Sequence, residues 1–295
     1  MSDSPPTRFP PAVWSLFDKY VHGQISRREF IDRASGMALA GLTGAALLEA
    51  LSPKFAQAQQ IAPTDARLRT EHVEIAAPGY GKARGYLVQP AKASGKLPLV
   101  LVVHENRGLN PHIEDIARRI ALENFVAFAP DALFPLGGYP GDEDKARALF
   151  QQLDQAKVRE DFLAVAKHVK ALPAGNGKLG VVGFCYGGGM ANFLASHSGE
   201  IDAAVPFYGT PPAAEDVKAI KAPLLLQFAE QDERINAAWP ASEAALKAAA
   251  VKYQAFIYPG TQHGFNNDTT PRYNKEAAAL AWQRTLQFFN EHLRT

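Results

Sequence analysis

One uninterrupted run of apolar residues, LPLVLVVH from Leu97 to His104, most constrains the fold of this chain. The run does not alternate between apolar and polar residues, so a strand formed from it would be buried on both of its faces. It is far too short to cross a membrane as a helix. Strands of this kind belong to parallel sheets with helices on both sides, so the run predicts an α/β fold.

The rest of the chain from Leu68 onward alternates strand-like and helical patterns, as a largely parallel sheet requires. The predicted strands are 72–77, 83–89, 97–104, 126–130, 178–184, 203–208, 223–229 and 253–258. The first two are separated by the turn-prone PGYG and are predicted to pair as a hairpin. One predicted helix starts near Pro111, and one or two helices are predicted within 142–172. Further helices are predicted over 186–196, over 242–250 with Ser242 as N-cap, and over 275–292.

The only cysteine of the chain lies in a G-x-C-x-G turn, Gly183-Phe184-Cys185-Tyr186-Gly187, between a predicted strand and a predicted helix. This is the pattern of a nucleophile elbow, in which glycines allow a tight turn that exposes the nucleophile. The helix N-terminus favours a thiolate, and the N–H of Tyr186 can donate to an oxyanion. The alternative is a small buried cysteine at a close helix–sheet contact, but glycines at both flanking positions favour the nucleophile.

A nucleophile of this kind needs a histidine as base and a carboxylate to orient it, in the chain order nucleophile, acid, base. His263 follows the last predicted strand, which is where the base is expected. The other downstream histidines, His197 and His292, lie in or at the end of predicted helices. The alternative for His263 is a loop histidine that caps local backbone.

The acid is expected after the preceding strand, where the chain reads Glu230-Gln231-Asp232-Glu233. Asp232 is the predicted acid, because a short side chain on a tight loop holds an imidazole most rigidly. Glu230 and Glu233 are the competitors, and a solvated acidic loop is the alternative interpretation of all three. These residues complete a predicted Cys-Asp-His triad.

The loop after the apolar run reads Glu105-Asn106-Arg107-Gly108-Leu109. In an elbow fold this loop supplies the second oxyanion donor, so the N–H of Asn106 is the candidate. Glu105 can take the proton of Cys185 or compete with the thiol for the histidine, and an ordinary salt bridge to Arg107 or to a helix end is its alternative. No metal is predicted, because His104-Glu105 lacks the second histidine of H-E-x-x-H.

Together, Glu105, the cysteine elbow, Asp232 and His263-Gly264-Phe265 closely resemble the dienelactone hydrolases, from about Val73 to the C-terminus. The resemblance implies an α/β-hydrolase fold, a Cys-Asp-His triad and a strand-end glutamate that helps to generate the thiolate. It also implies a carboxylic ester hydrolase that acts on enol-lactones or similar activated esters and needs no cofactor. The alternatives are a broader carboxylesterase, and a non-catalytic binder or redox-sensing thiol on the same fold.

Two stretches depart from the dienelactone hydrolases of the chlorocatechol pathway, which hold a substrate carboxylate with arginines. The corresponding stretches here, 265–268 and 131–135, contain no arginine. Arg107, two residues past Glu105, is the preferred substitute. The predicted substrate contacts are Arg107, Arg272, Tyr208 and Phe134.

Residues 1–58 are predicted to form an N-terminal twin-arginine export signal, followed by a hydrolase domain over 59–295. Arg27-Arg28 precede Phe30, an apolar stretch runs over 34–51, and 55–58 form an A-x-A cleavage pattern. This order predicts that the chain contacts the export machinery and that the protein itself is periplasmic or secreted. The alternative is an amphipathic helical extension over 11–50 that stays attached to a cytoplasmic protein. Glu49 interrupts the apolar stretch, which is too weak for a stable membrane span.

Charge and composition narrow the class of partner. The 31 basic and 30 acidic side chains nearly balance, and the globular part has no basic run that would attract a phosphate backbone. Nucleic acid is therefore not an expected partner. With 295 residues, 47% of them hydrophobic, the chain can bury a large core. The resemblance to the dienelactone hydrolases implies a small-molecule lactone or ester as the substrate.

Overall fold

The computed structural model describes residues 9–37, 42–54 and 59–294. The chain divides into two compact units. The first contains the described residues up to Lys54 together with Thr269–Pro271, and the second contains the remaining described residues. The predicted cleavage pattern and domain boundary at 55–58 lie outside the described residues.

The N-terminal unit is helical. Its described helices are α1 (Pro11–Val21), α2 (Arg27–Ser35) and α3 (Gly44–Leu51). The three helices contribute apolar side chains to one buried cluster. Phe30 lies fully buried within it, and the rings of Phe17 and Tyr20 approach the Phe30 ring with centroids 6.1 and 5.4 Å away. These side chains give the unit a core of its own.

The arginine pair that suggested an export signal lies in the first turn of α2. Ser26 caps this helix: its hydroxyl accepts a hydrogen bond from the Glu29 N–H at 3.2 Å, and the Glu29 carboxylate accepts one from the Ser26 N–H at 2.7 Å. Such a capping box typically stabilises a helix by about 0.5–2 kcal/mol. Among the helices of the described ranges, none is long and apolar enough to cross a membrane.

The retained helical extension and the cleaved export signal stay alternative predictions, and they differ in the mass of the mature chain. A retained unit predicts that protein isolated from its own host has the mass of the full chain and that Phe30→Ala makes residues 9–54 sensitive to protease. The physical reason is the loss of a buried aromatic side chain, at about 3–5 kcal/mol. A mature chain that begins at Gln59 would instead support export and contradict the retained unit.

The second unit is built on a single sheet. Its strands are β1 (Leu68–Ala77), β2 (Gly81–Pro90), β3 (Leu97–Val103), β4 (Val126–Pro130), β5 (Gly175–Phe184), β6 (Ala203–Phe207), β7 (Leu224–Gln231) and β8 (Tyr253–Gln262). Its helices are α4 (Pro111–Leu122), α5 (Glu143–Phe150), α6 (Gln155–Lys170), α7 (Tyr186–His197), α8 (Glu233–Asn236), α9 (Trp239–Ala248) and α10 (Lys275–Leu293).

Within the described residues the strand order is β1-β2-β4-β3-β5-β6-β7-β8. The pairs β1–β2 and β2–β4 are antiparallel, and all later pairs are parallel. The predicted α/β fold with a mostly parallel sheet is confirmed. Because the carboxyl ends of parallel strands meet at one edge of the sheet, the loops after β3, β5, β7 and β8 come together there.

Both faces of the sheet are covered, as the unbroken apolar run predicted. Leu99 and Leu101 of β3 belong to a cluster that includes α6 and α7, whereas Val100 and Val102 belong to a second cluster that includes α4 and α10. All four side chains are fully buried. Burial of each such side chain contributes about 1.5–3 kcal/mol, which makes β3 a rigid support for the loop that follows it.

Several predicted boundaries shift by a few residues in the structure, among them the start of one helix and the end of the last strand. The prediction that Ser242 caps a helix is wrong: α9 begins at Trp239, and the Ser242 hydroxyl lies inside it and donates to the Pro212 carbonyl at 2.8 Å. Pro240 in the first turn explains the earlier start, because its fixed φ suits that position. Strand β8 runs on to Gln262, so that His263 follows it directly.

Candidate active site

Cys185 occupies the tight turn between β5 and α7 with φ 56° and ψ −112°. A non-glycine residue in such a conformation costs about 1–3 kcal/mol. A side chain on Gly183 would collide with the Gly187 carbonyl, and one on Gly187 would collide with the Val103 carbonyl. Both glycines are therefore required by the close approach of backbone segments. The result is the predicted elbow, which presents Cys185 at the N-terminus of α7.

The side chains of His263 and Asp232 meet beside this edge of the sheet. His263 directly follows β8, Asp232 lies between β7 and α8, and Nδ1 of the histidine is 2.6 Å from Oδ2 of the aspartate. The two competitors for the acid lie elsewhere: the Glu230 carboxylate accepts a hydrogen bond from the Gly260 N–H at 2.9 Å, and Glu233 begins α8. Asp232 is the carboxylate that the structure pairs with the histidine.

Opposing effects set the charge of His263. Burial disfavours the imidazolium, but the charges of Cys185 and Asp232, together with hydrogen bonds to both, outweigh burial and raise the pKa of His263 to about 10. In the form of the site that holds a Cys185 thiolate, His263 is therefore protonated at neutral pH. The arrangement can hold a thiolate–imidazolium pair, the reactive form of a cysteine nucleophile.

Tyr208 lies against the His263 ring, and its contact with a substrate stays a prediction. Its ring centroid is 5.1 Å from that of His263, and the residue is 1% exposed. Burial raises the pKa of Tyr208 well above its usual value, and the charges of Glu105 and Cys185 add to the effect. Within the described residues its hydroxyl has no hydrogen-bond partner. A neutral buried phenol of this kind can donate a hydrogen bond to a bound substrate.

Glu105 lies at the end of β3 and is 8% exposed. Its Oε2 accepts a hydrogen bond from Nδ2 of Asn267 at 3.1 Å. Asn267 belongs to the loop after His263 and is itself buried. The Asn267 amide thus binds the Glu105 carboxylate, whereas the alternative prediction for Glu105 was a salt bridge to Arg107 or to a helix end. An amide donor is neutral, so the hydrogen bond from Asn267 brings no positive charge to the carboxylate.

Asp268 fastens the loop that carries Asn267 to helix α4. Its carboxylate lies 3.2 Å from Nδ1 of His112 and 2.7 Å from Nη2 of Arg119. Burial opposes its charge, but His112 and Arg119 hold the pKa of Asp268 at about 2. The carboxylate therefore stays ionised and paired at neutral pH, which keeps the loop in place.

The preferred substrate arginine, Arg107, is engaged by a carboxylate. Its Nε is 2.8 Å from Oε2 of Glu143, and its Nη1 donates to Oδ1 of Asn106 at 2.9 Å. Burial raises the pKa of Glu143 to about 7, although Arg107 and a hydrogen bond from Tyr139 favour its charge. Glu143 therefore balances the charge of Arg107 in its ionised form, which predominates above about pH 7.

The other two predicted substrate contacts also have partners. Nη1 of Arg272 donates to the backbone carbonyl of His263 at 3.1 Å. Phe134 lies in a short 3-10 turn, and the guanidinium of Arg84 lies 4.7 Å above its ring. Arg84 also pairs with Asp131 at 3.0 Å. Substrate contact by Arg272 and Phe134 stays a prediction.

The two predicted oxyanion donors lie on adjacent backbone segments. The Tyr186 hydroxyl donates to Oε1 of Gln155 at 2.9 Å, so its side chain is directed towards α6. Its backbone N–H lies in the first turn of α7, where N–H groups have no acceptor within the helix. Gly187 packs on the carbonyls of Val103 and His104, which brings the start of α7 next to the segment that carries Asn106.

Residues 83–293 match the family model described as the dienelactone hydrolase family. The chain belongs to this family. A structure described as a dienelactone hydrolase, from Klebsiella pneumoniae subsp. pneumoniae MGH 78578, superimposes with a TM-score of 0.67 at 30% identity. The match covers 76% of this chain and 100% of that chain. The protein is therefore an ester hydrolase with an α/β-hydrolase fold.

Two relatives of Escherichia coli K12 extend this likeness. A protein named as a carboxymethylenebutenolidase is 33% identical over 222 residues, which cover 70% of this chain and 82% of the relative. A hydrolase fragment named YghX is 54% identical over 114 residues, or 38% of this chain and 97% of the fragment. Residues 1–39 match a separate model described as YqhI-like. The N-terminal segment thus has a family likeness of its own.

Three residues around the site of this dienelactone hydrolase family member were missed in the sequence. Asn267 lies in a stretch that was searched only for arginine, and Glu143 lies in a helical pattern with no link to Arg107. His104 was considered only as a metal ligand. For His104 and Asn267 a signal existed, since His104 directly precedes the predicted catalytic Glu105 and Asn267 lies four residues past His263. For Glu143 none existed, because its contact with Arg107 depends on tertiary packing.

Replacing Asp232 with asparagine tests the triad. We expect kcat for p-nitrophenyl acetate to fall by about 10³–10⁴-fold, because an amide neither fixes the imidazole tautomer nor stabilises the imidazolium. Glu233→Gln is the matched control on the next residue and should keep the native rate. Equal rates for the native protein and Asp232→Asn would contradict the assignment of the acid.

Proposed function

We propose that this protein hydrolyses enol-lactones and related activated carboxylic esters through an acyl-thioester on Cys185. The observation that carries the proposal is the strained turn that presents Cys185, together with the His263–Asp232 contact of 2.6 Å. Membership of the dienelactone hydrolase family supports the ester-hydrolase chemistry.

In the acylation step the Cys185 thiolate attacks the carbonyl carbon of the ester. A C–S bond forms, and the carbonyl oxygen takes the negative charge, which the N–H groups of Asn106 and Tyr186 stabilise. The intermediate collapses with cleavage of the C–O bond. The leaving enolate or alkoxide takes the proton of His263, so the acyl-enzyme holds a neutral imidazole.

In the deacylation step water attacks the thioester. His263 takes a proton from this water, a second oxyanion forms, and cleavage of the C–S bond releases the acid and restores the thiolate–imidazolium pair. For a lactone, acid and leaving group are parts of one ring-opened product. Asp232 accepts the hydrogen bond from Nδ1 of His263 throughout and stabilises each imidazolium.

Glu105 serves the form of the free enzyme in which Cys185 is a thiol and His263 a neutral imidazole, a form in equilibrium with the thiolate–imidazolium pair. Its carboxylate can accept the proton of Cys185 as substrate arrives, and Asn267 holds it by one neutral hydrogen bond at 3.1 Å. The charges of both Glu105 and Cys185 act on the Tyr208 hydroxyl, which supports their proximity. Glu105 is therefore a second proton acceptor beside His263.

Variants of the proposed machinery test this mechanism. We expect Cys185→Ser and His263→Ala to lower the rate of p-nitrophenyl acetate and dienelactone hydrolysis by about 10³-fold or more, since the two residues act as a unit. Glu105→Gln should slow acylation and leave the fold intact. Mass spectrometry of a rapidly quenched reaction should find the acyl group on the peptide with Cys185.

The alternative functions give different results in the same assays. Unchanged turnover in the cysteine and histidine variants would remove the thioester mechanism. A redox-sensing thiol would react with iodoacetamide or peroxide but hydrolyse no ester. Turnover of simple neutral esters without turnover of lactones would support the broader carboxylesterase, which the balanced charge of Arg107 favours.

Variants of Glu143, the partner of Arg107, test whether Arg107 binds a substrate carboxylate. If Arg107 binds a substrate carboxylate, Glu143→Gln should release it and lower KM for carboxylate-bearing lactones by about tenfold, the scale of one charged hydrogen bond. Arg107→Gln should raise that KM, and neutral esters should respond to neither change. Asp144→Asn on the same helix is the control. Equal effects on charged and neutral substrates would contradict carboxylate binding.

The release of Arg107 from Glu143 should also depend on pH. Glu143 faces Arg107, Tyr139, Glu105 and Asp142, and burial raises its pKa to about 7. As the pH falls through about 7, Glu143 takes up a proton and loses its hold on Arg107. KM for carboxylate-bearing lactones should therefore fall in the native protein over this range, but not in Glu143→Gln.

A further inference from the structure

His104 is a fully buried histidine with both ring nitrogens engaged. The Ala132 N–H donates to Nε2 at 3.1 Å, and Nδ1 lies 2.5 Å from the carbonyl oxygen of Glu105. A backbone N–H can only donate, so Nε2 is the acceptor and the proton resides on Nδ1. Burial lowers the pKa of His104 and keeps the ring neutral, as this tautomer requires. Nδ1–H therefore donates to the Glu105 carbonyl.

This hydrogen bond determines the direction of the next N–H group. The Glu105 carbonyl and the Asn106 N–H belong to one planar trans peptide, in which the two groups point in opposite directions. A donor that holds the carbonyl on one side therefore turns the N–H to the other side. If the peptide rotated by half a turn, a carbonyl oxygen would face the developing oxyanion and repel it.

The same ring contacts the residue that carries the other donor. The Tyr186 ring lies nearly parallel to the His104 ring, with an interplanar angle of 15° and centroids 6.3 Å apart. Phe150 and Phe162 meet the imidazole edge-on at 6.1 and 6.4 Å. His104 thus bonds to the peptide of Asn106 and packs against the side chain of Tyr186.

We propose that His104 positions one oxyanion donor, the N–H group of Asn106, and so is a positioning residue of this hydrolase. The role rests on the proposed thioester mechanism. His104 touches no reacting atom. It acts through one peptide plane.

His104 could serve the fold alone, through the bond from the Ala132 N–H to Nε2 that ties the end of β3 to Ala132. Two variants separate this structural role from the positioning role of Nδ1. The amide of asparagine reaches the place of Nδ1, and that of glutamine reaches the place of Nε2. His104→Asn therefore keeps the donor to the Glu105 carbonyl, whereas His104→Gln keeps the acceptor for the Ala132 N–H. Asparagine fills less of the ring cavity, so it should be the less stable variant.

The experiment compares kcat and KM for p-nitrophenyl acetate with melting temperature in the full-length native protein and both variants. We expect His104→Gln to lose about 10²–10³-fold in kcat at unchanged KM, the effect of one missing oxyanion donor. His104→Asn should stay within about tenfold of the native kcat despite its lower melting temperature. Rates that follow melting temperature, with glutamine the faster variant, would overturn the proposal.

Alkylation of Cys185 supplies a second measurement. Cys185 is the only cysteine of the chain, and iodoacetamide attacks it without forming an oxyanion. The alkylation rate should therefore match the native rate in both variants. A parallel loss of alkylation and hydrolysis would overturn the positioning role. A native protein that is alkylated but hydrolyses no ester would instead overturn the proposed function, and this role with it.

Discussion

The backbone turn at Cys185 is the constraint on which the rest of the hydrolase unit depends. A cysteine at φ 56° and ψ −112° is strained by about 1–3 kcal/mol and persists only if its surroundings hold it. The Cys185 N–H donates to the Phe207 carbonyl of β6 at 3.1 Å, and Gly187 lies on the Val103 carbonyl of β3. The buried strands on both sides of β5 thus offset the strain and set the place of the thiol.

The groups that serve the thiol come from several strand ends, and buried polar contacts hold their loops together. His104 joins the loop after β3 to the one after β4 through the Ala132 N–H. Asn267 joins the loop after β8 to Glu105, and Asp268 fastens that loop to α4 through Arg119. Unpaired polar groups in such surroundings would each cost about 1–3 kcal/mol, so each contact also restricts the positions that the loops can take.

Charge balance distinguishes this site from one that is built around free arginines. Arg107 is paired with Glu143, and Glu105 is held by the neutral amide of Asn267. A carboxylate-bearing substrate would have to compete with Glu143 for Arg107, whereas a neutral ester meets no such competition. The Tyr208 hydroxyl, buried beside the His263 ring, is a neutral donor that suits either class.

Local patterns were sufficient for the elements and for the chemical groups of the triad. The unbroken apolar run of β3, the glycines around Cys185 and the positions of Asp232 and His263 after their strands each follow from backbone sterics and burial within a few residues. The start of α9 was missed because Ser242 resembles an N-cap, whereas its hydroxyl bonds to Pro212 in another segment.

The sequence by itself therefore determined the α/β fold class, the elbow and the order of its catalytic partners, because these depend on short-range geometry. Only the tertiary structure decided that Asp232 rather than Glu230 contacts His263, that Glu143 holds Arg107, and that His104 bonds to the Glu105 carbonyl. The physical reason is that hydrogen bonds and ion pairs act over about 3–4 Å, and chain folding alone brings such distant residues within that range.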